Sequence, residues 1–245
     1  LIKNTFFFIN DNVKYILILF SSLVLLNPSG SVSAQDYEGT EIIQDMKFQK
    51  GFSLTPLHPS IVQEGGGFDA TYVDTLDFGM EDPSPVWRIA QWHSEYSLEG
   101  IQPDTAEDGS IFYANESKKV ALYPDGSLLL ELNASLDYDD PSINGEPWPH
   151  LLIAQDFNEN SPCVGEMAKL NFSMDLKLVK EENKMEEGTF NPSLHTAHTH
   201  FYFIVRNDNK NSPDYGQKIW FGFPSYDYRH TTLSTQEKIH WDIGT

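Results

Sequence analysis

The chain is predicted to be all-β, a two-sheet antiparallel β-sandwich of the jelly-roll kind, and three observations predict it. Apolar side chains recur at every second position in several segments, helical periodicity is almost absent, and turn signals separate the segments at short spacing. No repeat, low-complexity tract or Gly/Ser/Pro linker interrupts the chain, so residues 35–245 read as one domain.

The elements follow in order. Residues 69–85 are acidic and read as a long surface excursion. Residues 86–96 read as a strand rich in aromatic and branched side chains. Tyr123-Pro124-Asp125-Gly126-Ser127 is a hairpin connection into residues 127–136, where Leu128, Leu130, Leu132, Ala134 and Leu136 share one side. Asn144-Gly145 marks a tight turn before a strand over residues 150–157. Residues 169–180 alternate, with Leu170, Phe172, Met174, Leu176 and Leu178 on one face. The polar run 181–188 is a loop or a single helical turn. His198–Arg206 and residues 217–223 supply two further strands, and Pro224–Arg229 reads as a polar-aromatic loop.

Residues 1–34 are expected to leave the mature protein as a signal peptide. Lys14 precedes the apolar run 15–26, and Val32-Ser33-Ala34 is an A-x-A-like cleavage site. The run is short for a membrane span, so the protein is expected to be secreted, extracellular or periplasmic, with no membrane attachment after cleavage. The abrupt stop at Thr245, without a polar tail, suggests that final strands lie beyond this sequence. The whole chain carries a net charge of −20, and losing Lys3, Lys14 and Asp11 with the signal makes it one unit more negative. Such a surface excludes nucleic acid and repels anionic membranes. The single Cys163 allows no internal disulfide, and a monomer is expected.

The candidate chemistry centres on His198–Arg206. Odd positions carry Thr199, Phe201, Phe203 and Val205; even positions carry His198, His200, Tyr202, Ile204 and Arg206. One face can join a core while the other displays two imidazoles, a phenol and a guanidinium. That set transfers protons, holds an anionic oxygen or binds a metal. The bland alternative is a polar face whose histidines bond backbone or Asp. As a metal site, His198 and His200 with His195 upstream would need a further ligand the sequence does not identify, so the metal content stays unknown. Residues 86–96 place Gln91 and His93 on one side, and Arg88 and Trp92 on the other.

Gln-x-His on a strand, with Arg and Tyr on others, resembles the active-site set of jelly-roll alginate lyases. Gln91 and His93 match that motif, while Arg88, Tyr202 and Arg206 match by residue type. The resemblance implies that Gln and Arg hold a uronate carboxylate while His and Tyr move protons. More broadly, the chain resembles the concanavalin A-like lectin and glucanase superfamily. The Glu-x-Asp-x-x-Glu strand of retaining glucanases on this fold is absent, so a glycoside hydrolase would need an unrecognised carboxylate pair.

Together these readings give a carbohydrate-active protein. The favoured expectation is lyase-type β-elimination on a uronate-containing polysaccharide or oligosaccharide. His198, His200, Tyr202, Arg206, Gln91 and His93 would be catalytic. Arg88, Trp92, Trp148, Tyr226 and Arg229 would bind the sugar, the tryptophans and tyrosine by stacking. The alternative is a non-catalytic, lectin-like glycan-binding module. No cofactor is required; the oxygen-rich loop Asp137-Tyr138-Asp139-Asp140 with Asn144 offers a calcium site or a solvated turn.

Overall fold

A computed structural model describes residues 4–6, 15–21, 39–58, 71–79, 83–157 and 163–229. The described chain is nearly all β. Its strands are β1 (Asn4–Phe6), β2 (Tyr15–Ser21), β3 (Phe52–Leu54), β4 (Asp74–Leu76), β5 (Trp87–Ala90), β6 (Asp104–Thr105), β7 (Ile111–Ala114), β8 (Lys118–Leu122), β9 (Leu128–Leu132), β10 (Leu152–Asp156), β11 (Leu170–Phe172), β12 (His198–Arg206) and β13 (Lys218–Asp227). They form a seven-stranded sheet in the order β13-β12-β2-β10-β5-β3-β4, a four-stranded sheet β6-β7-β8-β9, and the pair β1-β11. Within the large sheet every neighbouring pair is antiparallel except β3 with β5.

The two large sheets are joined by one apolar core. Phe52, Leu54, Leu76, Trp87, Ile89 and Ile153 of the seven-stranded sheet pack with Tyr113, Val120, Leu128 and Leu130 of the four-stranded one. This is a β-sandwich, and each of these side chains contributes roughly 1.5–3 kcal/mol by leaving water. Phe201, Phe203 and Val205 extend the same inner face into a second cluster with Phe157, Val164 and Leu170. Phe172 stacks on Phe201 at 4.1 Å between ring centroids. The odd positions of β12 are therefore core. A one-residue slip would drive its imidazoles into this cluster, so the register is fixed by burial.

Several elements depart from the sequence pattern. Residues 86–96 give a strand only over Trp87–Ala90, because the chain turns away and His93 takes a left-handed backbone, φ 56°. Residues 127–136 are strand to Leu132 and then a 3-10 turn, Ala134–Leu136. The turn before them is as read: Gly126 sits at φ 88°, and Tyr123 and Ser127 are joined by a backbone hydrogen bond of 2.9 Å. Only Leu170–Phe172 of residues 169–180 pairs with a strand; beyond it Leu176, Leu178 and Val179 are exposed. Alternation alone does not make a strand where no neighbour offers a ladder. Within the surface excursion expected over residues 69–85, β4 is an edge strand whose Leu76 is fully buried. Pro224–Asp227 is strand rather than loop, and a bulge between Thr199 and His200 accompanies it. Among the described residues β13 is an edge, so a proline without an N–H is tolerated there.

The apolar run read as an export signal supplies β2, paired with β10 on one side and β12 on the other. Lys14, the cleavage site at residues 32–34 and the final residues 230–245 lie outside the described residues. No helix among the described residues is long and apolar enough to cross a membrane.

Lys118 sits on the four-stranded sheet with 1% of its surface exposed. Its ammonium donates to Ser94 Oγ and the Tyr96 carbonyl. Ser94 Oγ in turn donates to Asp137 Oδ1 at 2.6 Å. Burial lowers its pKa to about 8, against the upward pull of Asp137. The folded state then binds fewer protons than the unfolded chain above that pH, so stability should rise as pH climbs from about 8 toward 9.5. Thermal melting across this range should show the rise, and Lys118→Met should flatten it. A flat wild-type profile would contradict the assignment.

Candidate functional site

The outward face of β12 is where the sequence-predicted groups meet. His198 and His200 lie edge to face at 4.8 Å, and His200 stacks on Tyr202 at 5.5 Å with the rings 13° apart. Trp148 covers His198 at 5.2 Å from the loop before β10, and Trp220 of β13 meets Tyr202 edge-on at 5.6 Å. Five rings thus run in unbroken contact along one face. Beneath and beside them Ala90, Trp92, Leu152, Ala154 and Ile204 form an apolar floor against which Tyr202 packs. Trp92 is only 7% exposed, so it supports the face instead of presenting a platform.

Gly222 makes room for the phenol. It pairs with Tyr202 across the ladder, and a Cβ there would collide with the Tyr202 ring and the Phe201 carbonyl. Only a residue without a side chain lets the ring lie flat against the neighbouring strand.

A second file of imidazoles crosses the sheet from the end of β12. His150 precedes β10, and its charge acts on His198. His93 lies 5.8 Å from His150, and His58 lies 6.4 Å from His93. The left-handed backbone at His93, tied by its N–H to the Leu57 carbonyl at 2.9 Å, presents that ring. Sequence reasoning singled out His93 but missed His150 and His58. The parity His150, Leu152, Ala154 along β10 was the available signal.

Burial is the main cause of low proton affinity in this group. It pushes His200 down to about 4, and His198 adds to the effect. Burial likewise lowers His198, His150 and His93 from their ordinary value. All four imidazoles are held neutral at pH 7, which leaves them available as bases.

The remaining predicted residues are not all brought here. Gln91 is fully buried; its amide donates to the Thr55 carbonyl and Ser97 Oγ and accepts from the Leu98 N–H, so it pins a loop. Arg88 is paired with Asp156. Arg206 makes a fork with Asp208 at 2.7 and 3.1 Å, six residues from His200, or about 20 Å along the strand. Tyr226 pairs with Thr199, whose side chain is among the buried odd positions. Arg229 is bound to Asp227, which lies directly across from His198. Asp227 is the nearby acid that sequence reasoning missed, because only cross-strand register reveals it.

His195 accepts from the Asn191 N–H at 3.0 Å and bonds the Ser142 carbonyl at 2.8 Å, so both its nitrogens are engaged. Among the described residues no three His, Cys, Asp or Glu side chains are grouped to hold a metal. The acidic loop borders a cavity of about 440 Å³ lined by Glu95, Asp137, Asp139, Asp140 and Glu146. Asp137 there accepts from Ser94, Ser117 and the Glu95 N–H, which fixes the loop to the sheet. Comparison with family models, with curated proteins and with solved structures finds no match.

Chemically, the face can stack flat rings, accept a proton at neutral imidazole and donate one from a phenol. Two consequences are measurable. Unfolded histidine binds protons below about pH 6.5 while these four resist, so stability should fall as pH drops from 6.5 toward 4. Asp227, held well below the usual carboxylate range by Arg229, keeps its contribution through that window. Melting temperatures taken between pH 7 and 4.5 should decline, and less steeply in His200→Gln. Gly222→Ala should cost on the order of 1–3 kcal/mol and alter the near-ultraviolet signal of Tyr202 and Trp220. An alanine variant that melts and absorbs like the wild type would refute the close approach.

Proposed function

We propose that this is an exported, carbohydrate-active protein that lays a polysaccharide along the ring-lined face of β12 and cleaves it by β-elimination. The observation that carries the reading is the unbroken contact of Trp148, His198, His200, Tyr202 and Trp220, with neutral imidazole stacked directly on phenol. Aromatic faces suit the apolar faces of sugar rings. Neutral His200 takes the C5 proton of a uronate unit, the electron pair forms the C4–C5 double bond, and Tyr202 protonates the departing O4. An Arg must neutralise the carboxylate as charge develops. The −20 charge of the chain works against a polyanion at long range, so binding depends on the local face.

A second reading, a lectin-like module, is favoured by one fact: Arg88, Arg206 and Arg229 each already face an aspartate. It keeps the stacking and omits the chemistry.

The test is to incubate the protein with alginate and related uronate polymers and follow absorbance of the new double bond. Turnover should appear with at least one polymer, and His200→Ala and Tyr202→Phe should each lower it roughly 10²–10⁴-fold with the fold retained. Full rate in both variants would overturn the base and acid roles of these two side chains. No turnover on any polymer, with retarded migration in a glycan gel, would establish the binding module.

A further inference from the structure

β13 ends at Asp227, directly opposite His198. Arg229 folds back on that carboxylate: Nε donates to Oδ1 at 2.9 Å, Nη2 to Oδ2 at 2.6 Å, and the Arg229 backbone N–H to Oδ1 at 3.0 Å. The aspartate lies underneath with 8% of its surface exposed, while a third of the Arg229 side chain reaches solvent. A guanidinium carries five N–H donors around a plane, and this fork uses one edge. The Nη1 edge of Arg229 has no partner among the described residues.

The three arginines therefore differ. Arg88 is nearly enclosed, with 11% of its side chain exposed, and Arg206 stands at the far end of β12. Arg229 alone is exposed and adjacent to the imidazole pair, both members of which sense its charge and that of Asp227.

Building on the glycan reading above, we propose that Asp227 is a positioning residue that fixes the outer edge of Arg229 beside His198, forming a subsite for the carboxylate of an acidic sugar unit. The pair carries no net charge, so selectivity comes from two oriented N–H donors, not from a diffuse positive field. Pre-orientation matters because a flexible arginine would lose side-chain entropy on binding. The substrate class that follows is a uronate-containing glycan in preference to a neutral one.

The experiment is an NMR titration of the protein with glucuronate, glucose and acetate, read on the imidazole signals. Glucuronate should bind about tenfold more tightly than glucose, as one charged hydrogen-bonded contact provides, and acetate should bind far more weakly than glucuronate. Asp227→Asn should abolish that preference without changing glucose affinity, and Asp227→Glu should restore it. The His198 and His200 titration midpoints should fall in Asp227→Asn, because the arginine charge loses its counterion. If Asp227→Asn does not fold, Arg229→Gln, which spares the carboxylate, should lose the preference alike. Equal binding of glucuronate and glucose by the wild type, or a preference that survives both substitutions, overturns the subsite while leaving the glycan face intact. Acetate binding as tight as glucuronate shows a bare carboxylate trap and also overturns it. Silence toward both sugars, and toward polymers in the gel, removes the glycan reading itself.

Discussion

A strand can give only every second side chain to each of its faces, and β12 uses that constraint at both levels of the molecule. Its odd positions complete the inner core with Phe201, Phe203 and Val205, and its even positions carry His198, His200 and Tyr202 outward. Burial of the phenylalanines sets the register, and the register lines up the outward rings. Stability and chemistry are thus coupled through the pleat: no shift that disorders one face can spare the other. The neighbours serve this arrangement. Gly222 vacates the space a phenol needs, Trp92 and Leu152 raise the floor, and Asp227 is placed opposite His198 by the count across a bulge.

The electrostatics follow from the same geometry. Aromatic walls and an apolar floor desolvate the imidazoles, so they resist protonation although the whole chain is strongly acidic. The carboxylate opposite His198, that of Asp227, is matched to Arg229.

Much of this was legible in the sequence where a segment is constrained by burial on one side. The bounds of β12, its two faces and the hairpin at Gly126 follow from periodicity and turn chemistry alone. Where the outcome depends on neighbours, the sequence is mute. The alternation of residues 169–180 looks as good as that of β12, yet without a flanking ladder it stays irregular past Phe172. The lyase resemblance implies a carboxylate ligand at Gln91, but its amide is consumed by three loop contacts. Asp227 reaches the site only through cross-strand register, which one-dimensional spacing does not encode.

The placement of β2 bears on how the sheet is made. Ser21 aligns with Leu152 and Phe20 with Phe201, so the joining strand meets partners more than 130 residues further along the chain. Contacts this distant in sequence are costly to close, and such topologies fold slowly. This placement also means that severing the chain after Ala34 would split the seven-stranded ladder into a four-strand block and a β-hairpin, each with an open hydrogen-bonding margin facing the other.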